Sequence, residues 1–119
     1  MADEDIPTCS VRLYIGSNLP DEPGKRISDP VLRRTLVDLT SAEFIGATFT
    51  QTRGLWAGEL EDAYIVEVFP SEDLDCDALF RRGTRLARAL AKQLRQTAVM
   101  VISTDAAGKM RQGFASGAG

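Results

Sequence analysis

Between residues 76 and 95 the apolar side chains return every three or four positions, with Leu79, Gly83, Leu86, Leu90 and Leu94 in one line flanked by Phe80, Ala87 and Ala91. At about 3.6 residues per turn this spacing predicts a helix with one buried face. On either side the period drops to two. TCSVRLYIG at 8–16 places Val11, Leu13 and Ile15 on one face and Arg12 and Tyr14 on the other. AYIVEVF at 63–69 sets Tyr64, Val66 and Val68 against Ile65, Glu67 and Phe69, so both segments read as half-buried strands. ATFTQTR at 47–53, with its β-branched threonines, reads as another strand, and TAVMVIS at 97–103 as a short buried one. An earlier helix starts at Ser28-Asp29-Pro30, a capping side chain followed by a proline suited to the first turn, and Val31, Leu32, Leu36, Leu39 and Ala42 share its apolar arc.

The order strand, helix, strand, strand, helix, strand predicts an α+β fold of ferredoxin-like type, βαββαβ, a four-stranded antiparallel sheet with two helices on one face. The expected divisions are a flexible N-terminus at 1–7, one domain at 8–104, and a mobile tail rich in glycine, alanine and serine at 105–119. The helix-free face of the sheet would carry Arg12, Tyr14, Ile65, Glu67 and Phe69. Such a face is too apolar to stay wet, which predicts that another subunit covers it and that Arg12 pairs with Glu67 across the strands.

Composition narrows the chemistry. The chain has no histidine, which removes histidine-dependent triads, imidazole bases and His-ligated metals. A net charge of -3 disfavours general attraction to nucleic acid or anionic membrane. Cys9 and Cys76 lie far apart and signal neither a disulfide framework nor a thiolate metal site, so a reducing cytoplasm is the expected location. Neither a secretory signal nor an apolar run of spanning length is present, so no membrane partner is expected. Asp73, Asp75 and Asp77 imitate the start of a calcium loop, but Ala78 and Thr84 stand where that loop needs glycine and glutamate. No metal site is expected, and no cofactor is indicated.

The polar side of the longer helix carries Arg81, Arg85, Arg88, Lys92 and Arg95. A basic stripe can track a phosphate backbone, but it lacks interleaved aromatics for stacking and reads more economically as a solvated helix face. RGLWAGELED, at 53–62, joins two strands. Its glycines fit a hairpin turn, while Arg53, Trp56, Glu59 and Glu61 are the candidate ligand residues if the segment lines a cleft between subunits, with Trp56 stacking on a planar group and Arg53 holding an anion.

The stretch GATFTQTRGLWAGELEDAYIVEVF resembles the second and third strands of small trimeric proteins of the PII and CutA groups. Gly46, Thr48 and Gly54 are similar to the Gly-x-Thr strand and glycine turn of PII-like chains; Trp56, Gly58, Leu60 and Glu61 are similar to the turn of CutA-like chains. The resemblance implies a trimer with inward-facing sheets and ligand clefts between subunits. The long PII loop and its Gly-Asp-Gly-Lys-type segment are absent, as is the cysteine-bearing first helix region of CutA proteins, so the PII nucleotide site is not carried over. The leading expectation is therefore a non-catalytic, PII-like homo-oligomer, a trimer favoured, that senses a small anionic ligand or docks a protein partner. The alternatives are a small enzyme using an open-face pocket with Arg12, Tyr14 and Glu67 as its polar groups, and a nucleic-acid binder acting through Arg81, Arg85, Arg88 and Lys92.

Overall fold

A computed structural model describes residues 8–71 and 74–117; the side chain of Trp56, Asp73 and the N-terminal residues expected to be flexible lie outside the described residues. The elements run β1 (Ser10–Gly16), α1 (Asp29–Glu43), β2 (Thr48–Trp56), β3 (Glu59–Val68), α2 (Cys76–Gln93), β4 (Ala98–Thr104) and β5 (Met110–Ser116). All five strands form one antiparallel sheet in the order β2-β3-β1-β4-β5.

This sheet corrects the expectation of a four-stranded, ferredoxin-like βαββαβ arrangement, because the segment read as a tail contains a fifth strand. Its cause is a turn after β4. The Asp105 carboxylate accepts from the backbone N–H groups of Ala107 and Lys109, and Gly108 takes the left-handed conformation at φ 84°. The chain is thereby folded back so that Met110–Ser116 pairs with β4 along its whole length.

One face of the sheet builds the core. Val11, Leu13 and Ile15 of β1 and Tyr64, Val66 and Val68 of β3 are buried against Leu32 and Leu36 of α1 and Leu79, Leu86 and Leu90 of α2. At roughly 1.5–3 kcal/mol for each fully buried aliphatic side chain, this contact is the main reason that the helices stay on the sheet. Gly83 lets α2 come close to β1: a Cβ there would lie 3.0 Å from a methyl of Val11.

Side chains fix both helix N-termini, though not through the serine that the sequence offers for the first. Asp75 caps α2, its carboxylate accepting from the Ala78 N–H at 2.8 Å. Ser28 occupies the cap position of α1 without a side-chain bond. Asp29 instead accepts from the hydroxyl of buried Tyr64 (2.8 Å), which itself accepts from Arg33 Nε (2.8 Å). That bond, with the charge of Asp29 beside it, holds the Arg33 guanidinium above its ordinary pKa and fastens α1 to β3.

Cys9 and Cys76 form a disulfide with their Cα atoms 5.9 Å apart, contrary to the reading of two unrelated thiols. Separation along the chain concealed the pairing. The fold sets the residue before β1 beside the first residue of α2, within the usual disulfide range.

β1 ends its pairing with β3 at Gly16 and Ala63, so the hairpin runs on past the sheet as a two-stranded ribbon. Its loop is only Ala57-Gly58, both with positive φ, as the turn favoured by twisted strands requires. Leu55 and Leu60 sit opposite each other near the tip and are exposed.

Candidate functional site

The strand registers lay out the helix-free face row by row. Thr48, Glu67, Arg12, Ile102 and Gln112 lie side by side across the sheet. The neighbouring row is Thr50, Ile65, Tyr14, Met100 and Phe114. Successive same-face residues are about 7 Å apart along a strand, so a polar, charged row runs directly beside an apolar one.

Arg12 and Glu67 face each other with Nε and Oε2 3.5 Å apart. The contact is an ion pair without a hydrogen bond, and Arg12 Nε is shielded from solvent with no hydrogen-bond partner among the described residues. A shielded guanidinium nitrogen in that state favours an added acceptor. Phe69, Met110 and Phe114 are more than half exposed on this uncovered face. At its other end the Glu61 carboxylate folds over Gly16, where a Cβ would lie 2.6 Å from both oxygens, and Glu61 Oε2 accepts from the Asn18 N–H at 3.0 Å.

The other hairpin candidates do not converge with it. Arg53 pairs with Asp62 across the ribbon at 3.5 Å, on the face opposite to Glu61, and Asp62 also meets Arg26 at 3.8 Å. Glu59 is exposed at the tip beside the turn, and the side chain of Trp56 lies outside the described residues. The five residues expected at an oligomer interface do share one face: Arg12, Tyr14, Ile65 and Glu67 form a contiguous patch, and Phe69 follows β3 beyond it.

On the basic helix face, Arg85 is taken by Glu43 of α1, which accepts from Nε and from the second guanidinium nitrogen at 2.7 Å each, raising the Arg85 pKa. Asp75 caps α2 and Asp77 lies in its first turn, and among the described residues no group of three or more acidic or cysteine side chains is placed to hold a metal. None of the described helices is long and apolar enough to cross a membrane. A trough of about 450 Å³ near Asp21, Lys92 and Arg95 is shallow, and its Arg95 is already paired with Asp21 and Glu22.

Sequence reading missed the contribution of β5. Met110, Gln112 and Phe114 extend the helix-free face, while Arg111, Gly113 and Ala115 turn to the helix side. The signal was present as an alternation of large and small residues after an Asp-and-Gly turn, but Gly113 and the low strand propensity of the segment masked it.

No family model and no curated protein matches the sequence. Two solved structures of a phage SAM lyase do match in shape. The complex with S-methyl-5'-thioadenosine superposes with a TM-score of 0.69 at 20% identity, over 97% of both chains. The apo state gives 0.70 at 21% identity, over 97% of this chain and 95% of that one. The chain shares its fold with phage SAM lyase. This shared fold, which is not that of the PII and CutA groups and is carried by an enzyme over essentially the whole chain, overturns the expectation of a non-catalytic, PII-like regulator.

Proposed function

We propose that this chain is a small enzyme that cleaves a carbon–sulfur bond of a SAM-type sulfonium, with the helix-free sheet face as its site and a second copy of the chain closing that site. The whole-length likeness to phage SAM lyase, one structure of which holds S-methyl-5'-thioadenosine, carries the reading.

The face suits such a substrate chemically. The amino-acid end of SAM carries one positive and one negative group, and Arg12 beside Glu67 offers one partner to each: the guanidinium to the carboxylate, the carboxylate to the ammonium. The adjacent row offers the Tyr14 ring, with Ile65, Met100 and Phe114, to the sulfonium and nucleoside end, where an aromatic face attracts a cation. When the bond between sulfur and the amino-acid fragment breaks, its electron pair stays on sulfur and discharges the sulfonium, while an oxygen of the fragment's own carboxylate bonds to the freed carbon and closes a lactone, so neither water nor a co-reactant is consumed. A site that excludes water therefore helps the step, and a flat sheet face excludes water only when covered. Exposed Phe69, Met110 and Phe114, with Leu55 and Leu60 on the projecting hairpin, supply apolar area for that second copy. SAM is an intracellular metabolite, so the reading carries a cytoplasmic location with it.

Incubation of the purified chain with SAM should yield S-methyl-5'-thioadenosine, followed by chromatography with mass detection. Glu67→Gln and Arg12→Gln should each lower kcat/KM by about 10–100-fold, as expected for loss of a charged contact. Phe114→Asp should reduce both the mass in solution and the activity. An oligomer that leaves SAM intact would overturn the catalytic reading, and an active monomer would overturn the shared site.

A further inference from the structure

On the opposite, helix-covered side of the sheet, a groove of about 230 Å³ separates α2 from the β4–β5 hairpin. Thr84 and Arg88 of α2 form one wall, Val101 and Ser103 of β4 the floor, and Arg111 and Gly113 of β5 the other wall. Thr84 and Arg88 are one helical turn apart and project together toward the hairpin. Arg111 is the direct cross-strand partner of Ser103, so its guanidinium rises from the same side as the serine hydroxyl.

We infer that this groove is a binding site for a phosphate group, whether free or on a small molecule. Two arginines line one cavity, and no carboxylate lines it. Among the described residues neither guanidinium makes an ion pair or hydrogen bond, unlike Arg85 and Arg95 on the same helix and its end, and the Ser103 hydroxyl is also without a partner. Two like charges facing one cavity repel until an anion lies between them, and paired guanidinium forks match phosphate oxygens. Nearby Asp105 is no competitor, because its carboxylate is engaged by the backbone of its own turn.

Gly113 supports this inference independently. Its φ is not in the left-handed region, and a Cβ there would meet nothing within 4 Å, so neither turn geometry nor close packing requires glycine. What its missing side chain leaves is the open groove. The inference stands apart from the open-face reading, since the groove's arginines, threonine and serine lie on the helix side of the sheet; Gln112 and Phe114 of β5 alone border both.

Isothermal titration of the full chain with inorganic pyrophosphate, at matched ionic strength, tests it. Wild type should bind, Arg88→Ala and Arg111→Ala should each weaken binding by roughly tenfold or more, and Gly113→Val should block the groove. Arg34→Ala, an exposed arginine on α1, should bind as wild type. Circular dichroism confirms that each variant is folded; if Gly113→Val is not, the two arginine variants decide. Absence of wild-type binding, equal weakening by Arg34→Ala, or citrate bound as tightly as pyrophosphate would each overturn the phosphate site.

Discussion

Arg95 concentrates two opposing effects in one residue. It follows α2 with φ 56°, and the bonds Gln96 N–H to Ala91 C=O (2.8 Å) and Arg95 N–H to Lys92 C=O (3.3 Å) close the helix in the manner that normally selects glycine. The same residue reaches Asp21 at 2.7 Å and Glu22 at 3.0 Å, tying the helix end to the loop after β1. Arg95→Ala should lose those pairs and keep the left-handed backbone cost, whereas Arg95→Gly loses the pairs and removes that cost. The glycine variant should therefore be more stable than the alanine variant by about 1 kcal/mol in denaturant unfolding. The Arg95 hydrogen bond also holds the Asp21 carboxyl below its usual range. A lowered native pKa contributes stability above the unfolded value near 4 and loses it as pH falls through the native one. The melting-temperature gap between wild type and Asp21→Asn should accordingly stay constant from neutral pH down to about pH 4, then close at lower pH and in high salt.

At the level of elements, close approach decides the packing of α2 on β1. Gly83→Ala would bring a Cβ to 3.0 Å from Val11, a buried, stiff residue in the middle strand, so the helix-propensity gain is outweighed and the variant should lose about 1 kcal/mol. Combining it with Val11→Ala should cost less than the sum of the two single changes, which a double-mutant cycle on unfolding free energies would read. This line of α2 was legible from sequence because burial imposes a period, and the faces of β1 and β3 were legible for the same reason. β5 was not, because MRQGFAS has weak intrinsic strand preference and acquires its conformation from pairing with β4. Within the candidate site, Arg12 and Glu67 could be matched beforehand since both lie on central strands with clear alternation. The partnership of Arg53 with Asp62 depended on hairpin register, which the two-residue turn at Ala57-Gly58 fixes and the charge pattern does not reveal. That turn yields a further expectation: Ala57, with φ 51°, occupies a position suited to asparagine, so Ala57→Asn should raise stability by roughly 0.5 kcal/mol in the same unfolding assay.

For the molecule as a whole, the disulfide between Cys9 and Cys76 joins the start of β1 to the start of α2 across 67 residues. No sequence period encodes such a contact, since it exists only once the sheet is assembled with α2 on top. A crosslink enclosing a loop of that length removes denatured-state freedom worth about 4 kcal/mol in the chain-entropy account, much of the stability that a small domain has. A cytosol keeps thiols reduced, so inside a cell the pair would stand as two buried or half-buried thiols and the fold would rest on its core alone. Oxidised protein should therefore unfold at higher denaturant than protein held in reductant, and Cys9→Ser with Cys76→Ser should behave like the reduced form in either buffer. The slope of unfolding free energy against denaturant should be slightly smaller for the crosslinked chain, whose denatured state exposes less surface. Equal midpoints in both buffers, with two titratable thiols in the unfolded chain, would mean that the cysteines meet in the fold without being joined.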